Sequence, residues 1–326
     1  MGNSTRPGAA RLKEILRRQS PPRCGKEYEP AIKAFREEAP SISWVSRVYW
    51  NLLDRKVHFL SRVEQAAGFL AMSSPQIWEL QEQRMLPVID SPHPLSYFGK
   101  ESDRLLPRLP GTLEVAEKLG LIKHHPLIKV PNKDGSVDEI LFPWIGDLLL
   151  YLKDSQGCYC VNWTIKGVKD NFENSNLNSL KGKTFNRNDE KSWARHVIEE
   201  SMYAAAGIRT VRITGEDLNV DINNNLRQLW LWHHRETKLS SAEAQEIIGE
   251  FAIAMIKEVP PIETVLYLHA EFGFEIDDIK AVLYQAISKR FLKVDLTWPI
   301  ILSEPLNREV FNIWDRTAHL FARSSS

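Results

Sequence analysis

Apolar and polar positions change period several times along the chain. Two runs, PWIGDLLLYL (143–152) and CYCVNWTIK (158–166), are apolar enough to be buried and are joined by the polar turn Asp154-Ser155-Gln156-Gly157. Such a pattern predicts a β-hairpin. Each run carries one charge that breaks it, Asp147 in the first and Lys166 at the end of the second. A charge in a buried run is expensive unless it meets a partner, so these two either pair, reach water or share a ligand.

Upstream, ISWVSRVYWN (42–51) is rich in β-branched and aromatic residues and predicts a strand. HFLSRVEQAAGFLAM (58–72) contains a helix start, with Ser61 in the N-cap position and Glu64 three residues on. That spacing alone explains Glu64 as a capping-box acid. PQIWELQEQRMLPVI (75–89) reads as a short helix with an extended apolar end, and GTLEVAEKLGLI (111–122) as a helix capped by Thr112 and stopped at Gly120. HHPLIKV (124–130) and DEILFPWIGDLLLYL (138–152) are strand candidates either side of a turn at 132–135, with His124 and His125 expected on the surface. Residues 169–190 are polar, and a helix is expected from about Asp189 to Ala206, ended by Gly207. RTVRITGEDL (209–218) adds a strand. Strand, helix, several strands, helix, strand is an α/β order.

The pattern then changes. Residues 221–241 read as a connector with a short helix, its Trp230, Trp232, His233 and His234 forming an aromatic stripe. Three amphipathic helices follow, over 240–258, 260–274 and 275–292, then a β-ribbon in LKVDLTWPIILSEPL (292–306). Three helices and a hairpin make a winged-helix order. The third helix starts with Glu275, Asp277 and Asp278, which favours a protein partner over a DNA groove. The expected division is a basic arm at 1–40, an α/β domain at 41–222 and a winged-helix-like domain at 223–326.

Composition adds little and excludes some classes. With 326 residues and a formal net charge of zero, the chain has no overall bias toward polyanions. Any basic surface is local, as in the arm with Arg6, Arg11, Lys13, Arg17, Arg18, Arg23 and Lys26. No apolar run has transmembrane or signal-peptide length, and three cysteines make no disulfide framework, so a cytoplasmic protein that does not enter membranes is expected. Cys158 and Cys160 alternate on one strand and read as small buried apolar residues.

The separate motifs come together in a resemblance. SRVEQAAGFL with WELQEQ, PWIGDLLLYL with VNWTIK, ARHVIEESMYAAAGIRTVRITGEDL, and SKRFLKVDLTWPI in the tail make the chain similar to the TnsA family, the endonuclease subunit of heteromeric transposases. The resemblance covers roughly residues 45–310. It implies a restriction-endonuclease-like PD-(D/E)xK core and a second domain resembling a winged helix. It also implies an active site of Glu64, Asp147 and Lys166. Glu64, Asp147 and the backbone carbonyl of Ile165 would be ligands for Mg²⁺ or Mn²⁺, with Thr164 in support. The family pattern has Glu or Gln where this chain has Thr164, a departure at that position. The implied activity is cleavage of the 5′ strands at transposon ends. The implied partners are transposon-end DNA, a TnsB-type transposase and, through the C-terminal domain, a TnsC-type AAA+ regulator. The alternatives left open are a degenerate, non-catalytic assembly module and a standalone restriction or repair nuclease. Glu199 either supports Lys166 or pairs with Arg195 one helical turn earlier, and the pairing is the simpler expectation.

Overall fold

The computed structural model describes residues 8–99, 105–131, 136–168 and 187–324, and the chain divides into two compact units. The first comprises residues 1–217 with 320–326, the second 218–319. The boundary therefore falls a few residues before the expected 222/223, and the last residues return to the first unit. There the Trp163 indole N–H donates to the Leu320 carbonyl at 2.9 Å, and Arg323 forks onto Asp154 with two bonds of 2.6 Å.

The first unit is built on a four-stranded mixed sheet. Its members are β3 (Ile77–Glu82), β6 (Leu148–Asp154), β7 (Gly157–Lys166) and β8 (Arg209–Thr214), in the order β3-β6-β7-β8. β6 and β7 form the expected hairpin, antiparallel from Leu148↔Trp163 to Asp154↔Gly157, with Gly157 at φ 112° closing the turn. β7 and β8 are parallel, which requires a crossover. The helix α4 (Arg187–Ala205) lies between them in sequence and packs on β8. The first five residues of β6 are all buried, as expected of a strand covered on both faces. Leu149 and Tyr151 share one cluster with Ile198, Met202 and Tyr203 of α4 and with Val115 and Ala116 of α3 (Thr112–Lys118).

Two small antiparallel pairs flank this sheet: β1 (Ser46–Trp50) with β2 (Arg55–Phe59), and β4 (Leu127–Pro131) with β5 (Val137–Leu141). The helix α2 (Arg62–Met72) is capped as read, Ser61 Oγ accepting from the Glu64 N–H at 3.1 Å. Gly68 lets this helix lie against β2. A Cβ there would stand 2.3 Å from the Phe59 ring.

Four local expectations are corrected. Residues 77–82 form strand β3, not a helix, because their polar side chains are taken by buried partners rather than water. Glu79 accepts from the Gly25 N–H at 2.7 Å, and Glu82 accepts from Arg55 at 2.9 Å. Thr112 is not the cap. Gly111 holds that position, and the buried Thr112 hydroxyl lies 3.0 Å from Nε2 of His125, which is buried rather than on the surface. From residue 8 onward the N-terminal segment is no loose arm; Arg6 lies outside the described residues. The helix α1 (Ala9–Gln19) buries Ile15, Arg18 and Gln19, and two of its cations are matched within the unit, Arg18 with Glu38 and Glu14, Arg17 with Glu14 and Glu29. The fourth correction concerns the second unit.

That unit is helical: α5 (Val220–His233), α6 (Ser241–Ile256), α7 (Pro261–Phe272), α8 (Ile276–Ser288) and α9 (Ile313–Phe321), the last two residues of α9 grouping with the first unit. The segment read as a connector is the fourteen-residue α5, capped by Asn219. α6 begins with a complete Ser240/Glu243 capping box, and α7 ends at Gly273 in the left-handed region. α8 packs against α5, α6 and α7. The expected ribbon is reduced to one bridge, Val294↔Arg308, with backbone bonds Asp295–Asn307 and Glu309–Lys293. Pro299 and Pro305 remove donors that a longer ribbon would need.

Candidate active site

Four elements bring charged residues to one end of the sheet. Asp147 immediately precedes β6, Lys166 ends β7, Glu64 occupies the first turn of α2, and Arg195, His196 and Glu199 lie on α4. Asp147 is fixed by β7. Its Oδ2 accepts from the Ile165 N–H at 2.7 Å and lies 3.4 Å from the Thr164 hydroxyl. The Asp147 carbonyl in turn accepts from the Gln83 N–H at 2.9 Å, tying it to the segment that leaves β3.

Glu64 extends its cap. Its Oε2 accepts from the Leu60 N–H at 2.9 Å and from the Gln83 side chain at 3.1 Å. Burial and then the facing Asp147 carboxylate raise its pKa to about 7, against the pull of the Leu60 N–H, Ser61 and Lys166. The cap engages Oε2 of the carboxylate.

Asn162, Thr164 and Lys166 alternate along β7 and so share a face. On that face Glu199 is completely buried; its Oε1 accepts from Asn162 at 3.2 Å, and its Oε2 has no hydrogen-bond partner among the described residues. Burial raises its pKa to about 7; Arg195 opposes the rise and Asp147 adds to it. The expected Arg195–Glu199 pair exists but is long, 3.9 Å, while Arg195 donates to the Ile145 carbonyl at 2.6 Å. Gly146 allows this approach, since a Cβ there would stand 3.1 Å from Glu199 Oε1.

Burial is the main cause that lowers the Lys166 pKa, followed by Arg195; Asp147, Glu199 and Glu64 work against it. Among the described residues Lys166 has no ion pair within 4 Å. His196 sits 3.4 Å from the Thr164 hydroxyl and is held neutral by burial and by Arg195 and Lys166.

Glu64, Asp147, Gln83 and Arg195 open into a cleft of about 500 Å³, walled by Leu60, Phe142 and Trp144 among others. The structure thus gathers Glu64, Asp147 and Lys166 at one place, although Lys166 does not line the cleft. Thr164 is fully buried, its hydroxyl turned toward Asp147 and His196 rather than the cleft. Ile165 gives its N–H to Asp147, and in an extended strand the carbonyl of the same residue leaves on the same side. Sequence reasoning missed Gln83, Arg195 and His196. The i,i+4 spacing of Arg195 and Glu199 hinted at the second, while nothing in the sequence marked Gln83.

Among the described residues no three His, Cys, Asp or Glu side chains are grouped as a metal centre. Two carboxylates with a backbone carbonyl nevertheless fit a hard cation that keeps most of its own waters. The mutual charge that raises Glu64 beside Asp147 is the feature such a cation would relieve. No protein-family model and no curated protein matches the chain. No helix among the described residues is long and apolar enough to cross a membrane.

Proposed function

We propose that the chain is a metal-dependent DNA endonuclease, the subunit of a heteromeric transposase that cuts the 5′ strands at transposon ends. One observation carries the reading: Glu64, Asp147 and Lys166 come from three elements yet feel one another's charge at a single sheet end beside a cleft. A structural role for these residues alone would close them into ion pairs, as the same unit does with Arg55 and Glu82.

In this reading Glu64 and Asp147 hold Mg²⁺ (or Mn²⁺) through the oxygens that Leu60, Gln83 and Ile165 leave open, and the Ile165 carbonyl is a third donor. When bound, such an ion polarises the scissile phosphate and lowers the pKa of a coordinated water. The Leu60 N–H, the Gln83 amide and the Ile165 N–H fix the two carboxylates in advance. Lys166 neutralises charge that develops on the phosphate or orients the attacking water. Arg195, in the cleft wall, offers a second cation to the DNA backbone. Thr164 supports Asp147 from within the sheet in place of a direct ligand. A TnsB-type transposase would choose the end sequence, and the second unit would engage a TnsC-type regulator, which suits the acidic start of α8.

The test is strand-specific cleavage of a labelled transposon-end duplex with Mg²⁺ or Mn²⁺. Wild type and Asp147→Ala are each mixed with the co-encoded transposase. A 5′-strand cut present in the wild type and absent in the variant supports the assignment. Equal cutting by both, or none by either beside an active transposase, leaves the assembly-module reading in its place.

A further inference from the structure

A second cavity lies on the first unit, away from the acids. It measures about 800 Å³ and is lined by Leu12 and Leu16 of α1, by Met85 and Val88, and by Ile140 and Leu141 at the end of β5, with Arg84 in its wall. Most of this lining is aliphatic, the composition of a pocket for an apolar small molecule.

Arg84 is the anomaly. It is 6% exposed, so its guanidinium is largely removed from water. Its Nη1 donates to Gln81 and to the Tyr151 hydroxyl, the latter at 3.2 Å, while Nε is buried with no hydrogen-bond partner among the described residues. Among the described residues no carboxylate pairs with it. The groups it feels most are Tyr151, Tyr203, Tyr28 and the Cys160 thiol, and burial keeps all three phenols protonated. The nearby buried acids belong to another cation, Arg55 at 2.9 Å from Glu82 and 3.8 Å from Glu79. A guanidinium cannot shed its proton to escape burial. Left alone it carries a large desolvation penalty, and a single-charge anion with bidentate geometry offsets this best.

The remaining charges narrow the choice. Asp90 and Glu139 also line the cavity, each paired with an exposed cation, Asp90 with Arg108 at 2.5 Å and Glu139 with Lys129 at 3.7 Å. Two acids in the wall disfavour phosphates and other multiply charged ions and leave room for a lone carboxylate. We infer that this cavity binds a small amphipathic monocarboxylate, its acid group on Arg84 and its hydrocarbon part along Leu12, Leu16, Val88 and Ile140. The inference is independent of the nuclease reading. The two sites do share a segment: Gln83 holds Glu64 on one side, and the next residue, Arg84, faces this cavity on the other.

The test is calorimetric titration of the full chain with octanoate and, separately, octan-1-ol, which shares the tail and lacks the charge. Octanoate is expected to bind at least about tenfold more tightly. Arg84→Met should lose that preference and still fold, since no carboxylate is stranded by the change. Ile140→Trp, which leaves Arg84 in place and fills the cavity, should abolish binding of both. Equal affinity for acid and alcohol, a preference that survives in Arg84→Met, or no binding of octanoate at low-millimolar concentration would each overturn the inference.

Discussion

Two groups of buried charge in the first unit are built on opposite principles. Around β2 and β3, Arg55 is closed by Glu82 at 2.9 Å, donates to the Leu80 carbonyl, and lies 4.9 Å over the Tyr28 ring. At the sheet end, Asp147 and Lys166 act on the Glu64 pKa, and Asp147, Glu199 and Glu64 on that of Lys166, while the shortest ion contact among these groups and Arg195 in the described residues is 3.9 Å. The first group is ion-paired within the fold, with Arg55 Nε and Glu82 Oε2 left without hydrogen-bond partners among the described residues. The second is held apart by hydrogen bonds to backbone and amides, so that its charges remain available. The two groups thus differ in ion pairing, and the proposed cation would use the carboxylates that the second leaves unpaired.

The largest effect expected from breaking this contrast lies in the closed group. Glu82→Ala leaves Arg55 only the 3.8 Å ion contact with Glu79 and should lower unfolding free energy by about 3–5 kcal/mol in a urea titration. Replacing both, Arg55→Met with Glu82→Leu, should recover most of the loss. If the single variant is as stable as wild type, Arg55 and Glu82 are not the closed pair described.

The open group should respond the other way. Lys166→Ala or Asp147→Ala is expected to reduce strand cleavage by about 10²–10³-fold or more, with the urea midpoint unchanged or raised. A variant that cuts normally, or that loses cutting only because it unfolds, would return these residues to a structural role.

A smaller effect separates the groups by pH. His58 belongs to the closed group: its backbone N–H donates to Glu82 at 3.1 Å and its Nδ1 accepts from Ala34 at 2.9 Å. Burial and then Arg55 lower its pKa from 6.5 to about 4. The unfolded chain therefore takes up a proton before the fold does. The stability owed to neutral His58 is fully present above pH 6.5 and is lost as pH falls from there through about 4. Its amplitude is about 3 kcal/mol. His58→Asn keeps an acceptor for Ala34 without the titration and should flatten this part of the stability–pH curve. An unchanged slope would locate the acid sensitivity elsewhere.

How much of this was legible depended on what local pattern encodes. The β6–β7 hairpin and its two charges were readable because burial on both faces leaves an apolar run in which Asp147 and Lys166 stand out. The Ser61–Glu64 cap was readable because it is local. β3 was not, since Glu79, Gln81 and Glu82 look like a solvated helix face until Gly25, Arg23 and Arg55 arrive from distant parts of the chain. For the same reason α1 read as a loose basic arm, because Glu29 and Glu38, which neutralise it, come later in the sequence. The ribbon after α8 failed at its prolines, and Gln83 joined the candidate site only through a tertiary contact with Glu64.

Gly68 offers the smallest and most discriminating change. Its missing Cβ is what lets α2 rest on the Phe59 ring, and α2 carries Glu64 four residues earlier. Gly68→Ala adds a methyl group where the ring stands at 2.3 Å, so ring or helix must shift. Overpacking of this kind costs about 1–3 kcal/mol, partly offset by the better helix propensity of Ala. Asp147 and Lys166, anchored on β6 and β7, should not follow the helix. If Glu64 works with them, cleavage should fall by more than the stability change explains, because a small displacement of one carboxylate spoils a shared geometry. Phe59→Leu, which removes ring atoms from the point of contact, should restore cleavage in the Gly68→Ala background. If cleavage instead tracks only the folded fraction, Glu64 is a helix cap and nothing more, and the open group contracts to Asp147, Lys166 and Glu199.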